Sequence, residues 1–181
     1  MSWEKISSKK VFSSKRHQVY EDRVRLPDGT EITYLHFGDM PDAVMIIAVN
    51  EKKKILIQEE YSYPPNEWLM QFPGGSLLPG EQIIDGAMRE LSEETGLKGS
   101  LVKIGWFYTD NRLKKQRMHV FVASELGKAR GKKDIGEEFK HSWCSVSKIQ
   151  DLIKSGRLVN YTALAAWSIF TNFPDNNVPR K

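Results

Sequence analysis

The chain has 181 residues, 40% hydrophobic and 28% charged, which are the proportions of an ordinary globular protein and leave room for one core domain with a modest extension. No apolar run approaches the roughly 18 residues needed to cross a membrane, Met1-Ser-Trp-Glu-Lys lacks the apolar core of a signal peptide, and the lone cysteine, Cys144, allows no intrachain disulfide, so a cytoplasmic protein without membrane attachment is expected. The net charge of +4 and pI near 9.1 come largely from short clusters such as Lys9-Lys10, Lys52-Lys53-Lys54, Lys114-Lys115 and Lys132-Lys133, which lack the interleaved aromatics of a nucleic-acid surface and at most favour a small polyanion.

The first 40 residues read as a separate antiparallel strand element. Val19–Leu26 alternates loosely, Pro27-Asp-Gly-Thr30 is a turn, and Glu31–Phe37 resumes a strand pattern. Ala43–Val49 and Ile55–Gln58 are apolar runs on either side of a charged turn containing Asn50, and read as central strands. Trp68–Phe72 is a short strand that leads into a glycine-rich segment and a helix predicted from about Glu81 to Thr95. Strands follow at Leu101–Tyr108, His119–Ala123 and Phe139–Val146, with a polar loop over Thr109–Gln116. Helices are predicted over Val146–Lys154 and Tyr161–Thr171, and the tail from Pro174 is expected to be loose. Strands, then a helix, more strands and closing helices fit an α/β/α sandwich around a mixed sheet.

The chemistry is concentrated between Gly75 and Leu97. On a helix, Glu90 stands three residues from Glu93 and four from Glu94, so the three carboxylates project from one side. Like charges at that spacing destabilise a helix unless a cation sits among them, and hard oxygen donors suit Mg²⁺ or Mn²⁺. Ile84, Ala87, Met88 and Leu91 are expected to form the buried side. Arg89 stands next to the carboxylates, placed to hold one by a bidentate pair, and Gly96 is placed to end the helix. An acidic, solvated helix face would be the plain alternative for Glu93-Glu94 alone. The four histidines are scattered, without metal-ligand spacing, and Cys144 is assigned to core packing.

The segment resembles the signature of the Nudix hydrolases, G-x5-E-x7-R-E-U-x-E-E-x-G-U with U a bulky aliphatic residue. Gly75, Glu81, Arg89, Glu90, Leu91, Glu93, Glu94, Gly96 and Leu97 meet every specified position, a match that chance supplies at roughly 10⁻⁹ or less per starting position. Arg23–Gly29, Ala43-Val44, Ile55–Tyr61 and Ile153–Asn160 are similar to the ADP-ribose pyrophosphatase branch of that family. The resemblance implies a Nudix-type α/β/α sandwich over residues 41–173. It also implies an N-terminal strand element over residues 1–40 that is exchanged across a homodimer and helps form the substrate site.

The implied activity is divalent-metal-dependent hydrolysis of a pyrophosphate bond in a nucleoside diphosphate linked to a second group, ADP-ribose or a related ADP-sugar foremost. Glu90, Glu93, Glu94 and the carbonyl of Gly74 are the implied ligands of Mg²⁺ or Mn²⁺. Glu81 is placed to support them from the rim, and Arg89 to orient a ligand carboxylate. The branch draws its general base from an acidic loop before the last strand, which points here to Glu137 or Glu138. Tyr61, Trp68, Gln71 and Arg112 are candidate substrate contacts. Two departures stand out: Tyr108-Thr-Asp-Asn-Arg112 replaces a Ser-Pro-Gly-type segment, and Glu59-Glu60-Tyr61 stands where the branch often has Gln-Tyr-Arg. Hydrolysis of nucleoside triphosphates or dinucleoside polyphosphates, and a non-catalytic nucleotide-binding module, are the alternative readings.

Overall fold

A computed structural model describes residues 2–129 and 139–173; the acidic loop with Glu137 and Glu138 and the tail from Pro174 lie outside them. The chain divides into two compact units, Met1–Pro41 with Tyr108–Arg117, and Asp42–Phe107 with Met118–Lys181.

In the first unit, β1 (Glu4–Ser13), β2 (Gln18–Arg25) and β3 (Glu31–Phe37) form an antiparallel sheet in that order. The β2–β3 turn closes as its sequence dictates. Asp28 Oδ1 accepts from the Thr30 amide at 2.9 Å, and Gly29 takes a left-handed conformation at φ 86°. Strand β1 carries no sequence signal because all ten of its residues are exposed, so no face is selected by burial and no alternation results. The segment 108–117 belongs to this unit: the Phe37 amide donates to Leu113 O at 2.7 Å and the Tyr34 hydroxyl to Arg112 O at 2.6 Å.

The second unit contains β4 (Ala43–Ala48), β5 (Ile55–Ser62), β6 (Glu67–Gln71), β7 (Gly74–Ser76), α1 (Ile83–Thr95), β8 (Leu97–Tyr108), β9 (Arg117–Lys128), β10 (Phe139–Cys144), α2 (Val146–Lys154) and α3 (Tyr161–Asn172). The strands form a mixed sheet, β7-β4-β9-β8, in which β4 runs parallel to β9 and antiparallel to β7, and a second sheet, β10-β5-β6. β4 is buried along its whole length, as its unbroken apolar run requires. Met45 and Ile47 face one core with α2 and α3, while Val44, Ile46 and Ala48 face a second with α1. The mixed α/β sandwich expected from the element order is therefore what forms.

Two expectations about α1 need correction. The helix begins at Ile83 rather than about Glu81, because the Glu81 carboxylate is taken up in the preceding turn, accepting from the Leu78 amide at 2.8 Å. The buried stripe is Gly86, Ala87, Glu90, Leu91 and Glu94, whereas Ile84 is 52% exposed. At 100° per residue, Ala87 and Leu91 share their face with Glu90 and Glu94, and Ile84 and Met88 fall on its flank. The carboxylates are thus on the buried side of the helix, not opposite it. The glycine-rich segment after Phe72 forms the three-residue strand β7, which pairs with Ala43–Met45.

Candidate active site

Four carboxylates and one guanidinium meet where α1 packs against the β7 loop. Arg89 uses all five of its N–H groups. Nε and Nη2 hold the two oxygens of Glu81 at 2.8 and 3.0 Å, Nη1 donates to Glu90 Oε1 and Glu93 Oε2 at 2.9 Å each, and Nη2 also donates to Ser76 O at 3.0 Å. The bidentate grip on Glu81 suits the fork geometry of arginine. These pairs raise the Arg89 pKa, the Glu81 bond most of all, against partial burial; the same bond holds the Glu81 carboxyl below the usual range. With every donor engaged, Arg89 orients carboxylates rather than reaching outward to a ligand.

Glu94 is 5% exposed and is held separately. Its Oε2 accepts from Gln58 Nε2 at 3.0 Å and from the Gly74 amide at 2.8 Å. Gly74 therefore stands beside Glu94 through its N–H. Both glycines of the loop leave space that a Cβ would take from a neighbour. A Cβ on Gly74 would lie 2.1 Å from the backbone oxygen of Val44, and one on Gly75 would lie 2.4 Å from Glu90 Oε1. Gly75 thus makes the space that the Glu90 carboxylate fills.

One guanidinium offsets one of the four carboxylate charges, and Glu90 and Glu94 are buried. Oxygen donors of this kind fit a hard divalent cation. As arranged, the carboxylates take protein donors and stand apart; among the described residues no three His, Cys, Asp or Glu side chains gather into a metal-sized cluster. Glu81, Glu90 and Glu93 converge on Arg89, and Glu94 is drawn to Gln58 and the Gly74 amide.

The candidate substrate contacts are distributed. Gln71 lies in the second unit beside a cleft of about 240 Å³ lined by Glu60, Tyr61, Tyr63, Leu69, Gln71 and Asn160. Its Nε2 donates to Glu60 and its Oε1 accepts from Asn160 Nδ2 at 3.2 Å. Burial pushes the Glu60 carboxyl above its usual range, opposed by the Gln71 bond. Tyr61 and Trp68 pair edge-to-face at 6.1 Å, and Lys140 Nζ sits 4.1 Å over the Trp68 ring. Both aromatics are partly exposed. Because Gln58 and Gln71 are directly opposite in the β5–β6 ladder, the Glu94 partner and the cleft residue share one face of that sheet. Arg112 lies in the first unit, where its carbonyl is used by Tyr34. Of the histidines, His119 pairs with Asp42 and His36 with Asp22.

Sequence reading missed Gln58, Glu60 and Asn160. Gln58 left a signal: a polar residue closing a continuous apolar strand run is an anomaly that burial must explain. Asn160 left a weaker one as a helix-capping residue, since its Oδ1 accepts from the amides of Thr162 and Ala163 at 3.0 and 3.3 Å. Glu60 left none.

A model of the NUDIX domain matches residues 39–166. The ADP-ribose pyrophosphatase of Bacillus subtilis (strain 168) is 33% identical over 134 residues, covering 74% of this chain and 72% of that one. The methanol dehydrogenase activator of Bacillus methanolicus is 29% identical over 136 residues, again 74% and 72% of the two chains. A solved structure described as an ADP compounds hydrolase superposes with a TM-score of 0.88 at 19% identity, covering 94% of this chain and 93% of that one, a likeness of fold.

Proposed function

The chain belongs to the Nudix family and is a pyrophosphohydrolase, and from that premise we propose that it cleaves ADP-ribose or a related ADP-sugar to AMP and a sugar phosphate, with Mg²⁺ or Mn²⁺ as cofactor. The observation that carries this reading is the carboxylate set of α1 and the turn before it, two of its members buried, with Glu81, Glu90 and Glu93 clasped by Arg89 and Glu94 pinned by Gln58 and Gly74. A solvated acidic helix would bury none of it. The similarity to an ADP-ribose pyrophosphatase over most of both chains supports the substrate class.

Glu90, Glu93, Glu94 and the Gly74 carbonyl would hold the cation. Such an ion neutralises phosphate charge and acidifies a water. The chain's own contribution is positional. Arg89 holds three carboxylates at fixed places before substrate arrives, so little reorganisation remains at the moment of reaction. Water attacks one phosphorus of the anhydride, the P–O bond on the far side breaks, and the leaving phosphate departs with its electron pair. The proton of that water goes to Glu137 or Glu138, both outside the described residues.

Residues 1–40 are assigned to homodimer formation and residues 41–173 to the catalytic domain. The cleft beside Gln71 and the ring pair Tyr61–Trp68 supply candidate contacts to the nucleotide.

Chromatographic product analysis tests the reading. Incubation with Mg²⁺ and ADP-ribose should release AMP and ribose 5-phosphate, faster than any nucleoside triphosphate releases pyrophosphate. Glu94→Gln should lower kcat by about 10³-fold or more with the fold retained. Preferential cleavage of triphosphates would overturn the substrate assignment, and undiminished turnover by Glu94→Gln would overturn the site.

A further inference from the structure

Four consecutive residues of β5, Ile55 to Gln58, are fully buried. Three are aliphatic and the fourth is an amide. Burying an amide costs free energy unless both its ends are satisfied. Gln58 Nε2 is satisfied, donating to Glu94 Oε2 at 3.0 Å. Oxygen and nitrogen of an amide are told apart by their partners, and an ionised carboxylate only accepts. The nitrogen must therefore face Glu94, which leaves Oε1 as the remaining atom. That oxygen is buried and has no hydrogen-bond partner among the described residues.

An unmet buried acceptor costs about 1–3 kcal/mol. An aliphatic residue, matching its three neighbours, would avoid that cost. Holding Glu94 does not explain the amide fully, because the Gly74 amide already donates to the same oxygen at 2.8 Å. What the amide adds is an uncharged oxygen donor beside a carboxylate set that already repels itself. Side-chain carbonyls are ordinary ligands of hard divalent cations, and a neutral one adds a ligand without adding like charge.

We propose that Gln58 is a component of the divalent-cation site, its Nε2 fixing Glu94 and its Oε1 serving as a neutral oxygen ligand. This rests on the metal-dependent reading above. It places a β5 residue, outside the signature segment, among the groups that set cation affinity.

The test is Mn²⁺ titration of the full chain without nucleotide, following the free-ion signal by electron paramagnetic resonance, alongside thermal unfolding with and without Mn²⁺. Gln58→Met keeps the shape and removes both polar atoms. It should bind Mn²⁺ at least fivefold more weakly, with a metal-free Tm equal to or above that of the wild type. Gln58→Glu keeps an oxygen and removes the donor. It should lower the metal-free Tm and give a larger Mn²⁺-induced rise than the wild type, because the added charge lies at the ion. Wild-type affinity in Gln58→Met, or no larger rise in Gln58→Glu, overturns the assignment, and if Gln58→Met does not fold, Gln58→Glu decides alone. Wild-type protein that binds no Mn²⁺, or binds it no better than Glu94→Gln does, overturns the metal-dependent reading itself.

Discussion

Arg89 shows how one side chain can organise a set of carboxylates. Five donors are spent on three carboxylates and a backbone carbonyl, so its replacement removes positioning rather than substrate binding. A lysine offers three donors from a single nitrogen and cannot span Glu81, Glu90 and Glu93 together. Arg89→Lys should therefore lower kcat about 10–100-fold while KM for the nucleotide changes by less than about threefold, measured by initial rates at saturating Mg²⁺. A KM effect as large as the kcat effect would instead place Arg89 on the substrate. Glu60 makes the opposite demand on the protein. Its carboxyl is raised by burial, so the folded state binds the proton more tightly than the unfolded chain. The charged form then costs stability, a cost absent below the unfolded pKa and fully present once pH has risen past the folded one. Glu60→Gln preserves an acceptor for Gln71 and should raise Tm by about 1–4 °C at pH 7. The gain should vanish near pH 4, and a gain that persists there would exclude this cause.

The elements around the site divide into those that sustain the fold and those that shape the chemistry, and the two loop glycines separate them. A Cβ at Gly74 would strike backbone, 2.1 Å from Val44 O, whereas at Gly75 it would strike the movable end of Glu90 at 2.4 Å. Gly74→Ala should then cost several kcal/mol, since β7 must leave β4. Gly75→Ala should unfold within about 1 kcal/mol of the wild type yet lose most of its turnover, because Glu90 is turned out of place. Denaturant melts paired with rate assays check both. The same elements show what sequence makes legible. Positions brought together by spacing were readable: Gly75, Glu81, Arg89, Glu90, Glu93 and Glu94 come from one contiguous segment, and the doubly buried β4 announces itself by an unbroken apolar run. The ties that cross between elements were not. Gln58 meets Glu94 over 36 residues of sequence and Asn160 meets Gln71 over 89, and no local pattern encodes such distances. The buried face of α1 was misread for a related reason. Periodicity assigns apolar residues to the core, but here the core side carries two carboxylates and Ile84 is left exposed.

At the scale of the whole molecule, the first unit carries surface that a free monomer has little reason to keep. Trp3, Val11, Phe12 and Leu35 are between 44% and 55% exposed, and β1 is an edge strand with every residue exposed. Edge pairing between copies is opposed. Ile6 and Val11 interrupt the β1 register as bulges, and Lys5, Lys9 and Lys10 line the strand, the usual devices that keep edges apart. The proposed association would then run through apolar side chains rather than through a shared ladder, because apolar burial yields roughly 25 cal/mol per Å² while a bulged, lysine-bearing edge offers few aligned N–H groups. The homodimer proposed for this chain should appear in multi-angle light scattering as a particle of twice the 20.8 kDa chain mass at micromolar concentration. Phe12→Asp places a charge at an exposed apolar position of β1, in the unit that does not carry the α1 carboxylates. It should shift the mass to that of one chain while Mn²⁺ affinity stays at the wild-type value. A wild-type mass of 20.8 kDa across the micromolar range would contradict the dimer. Persistence of the dimer in Phe12→Asp would move the interface away from Phe12 and leave its exposure to be explained by another partner.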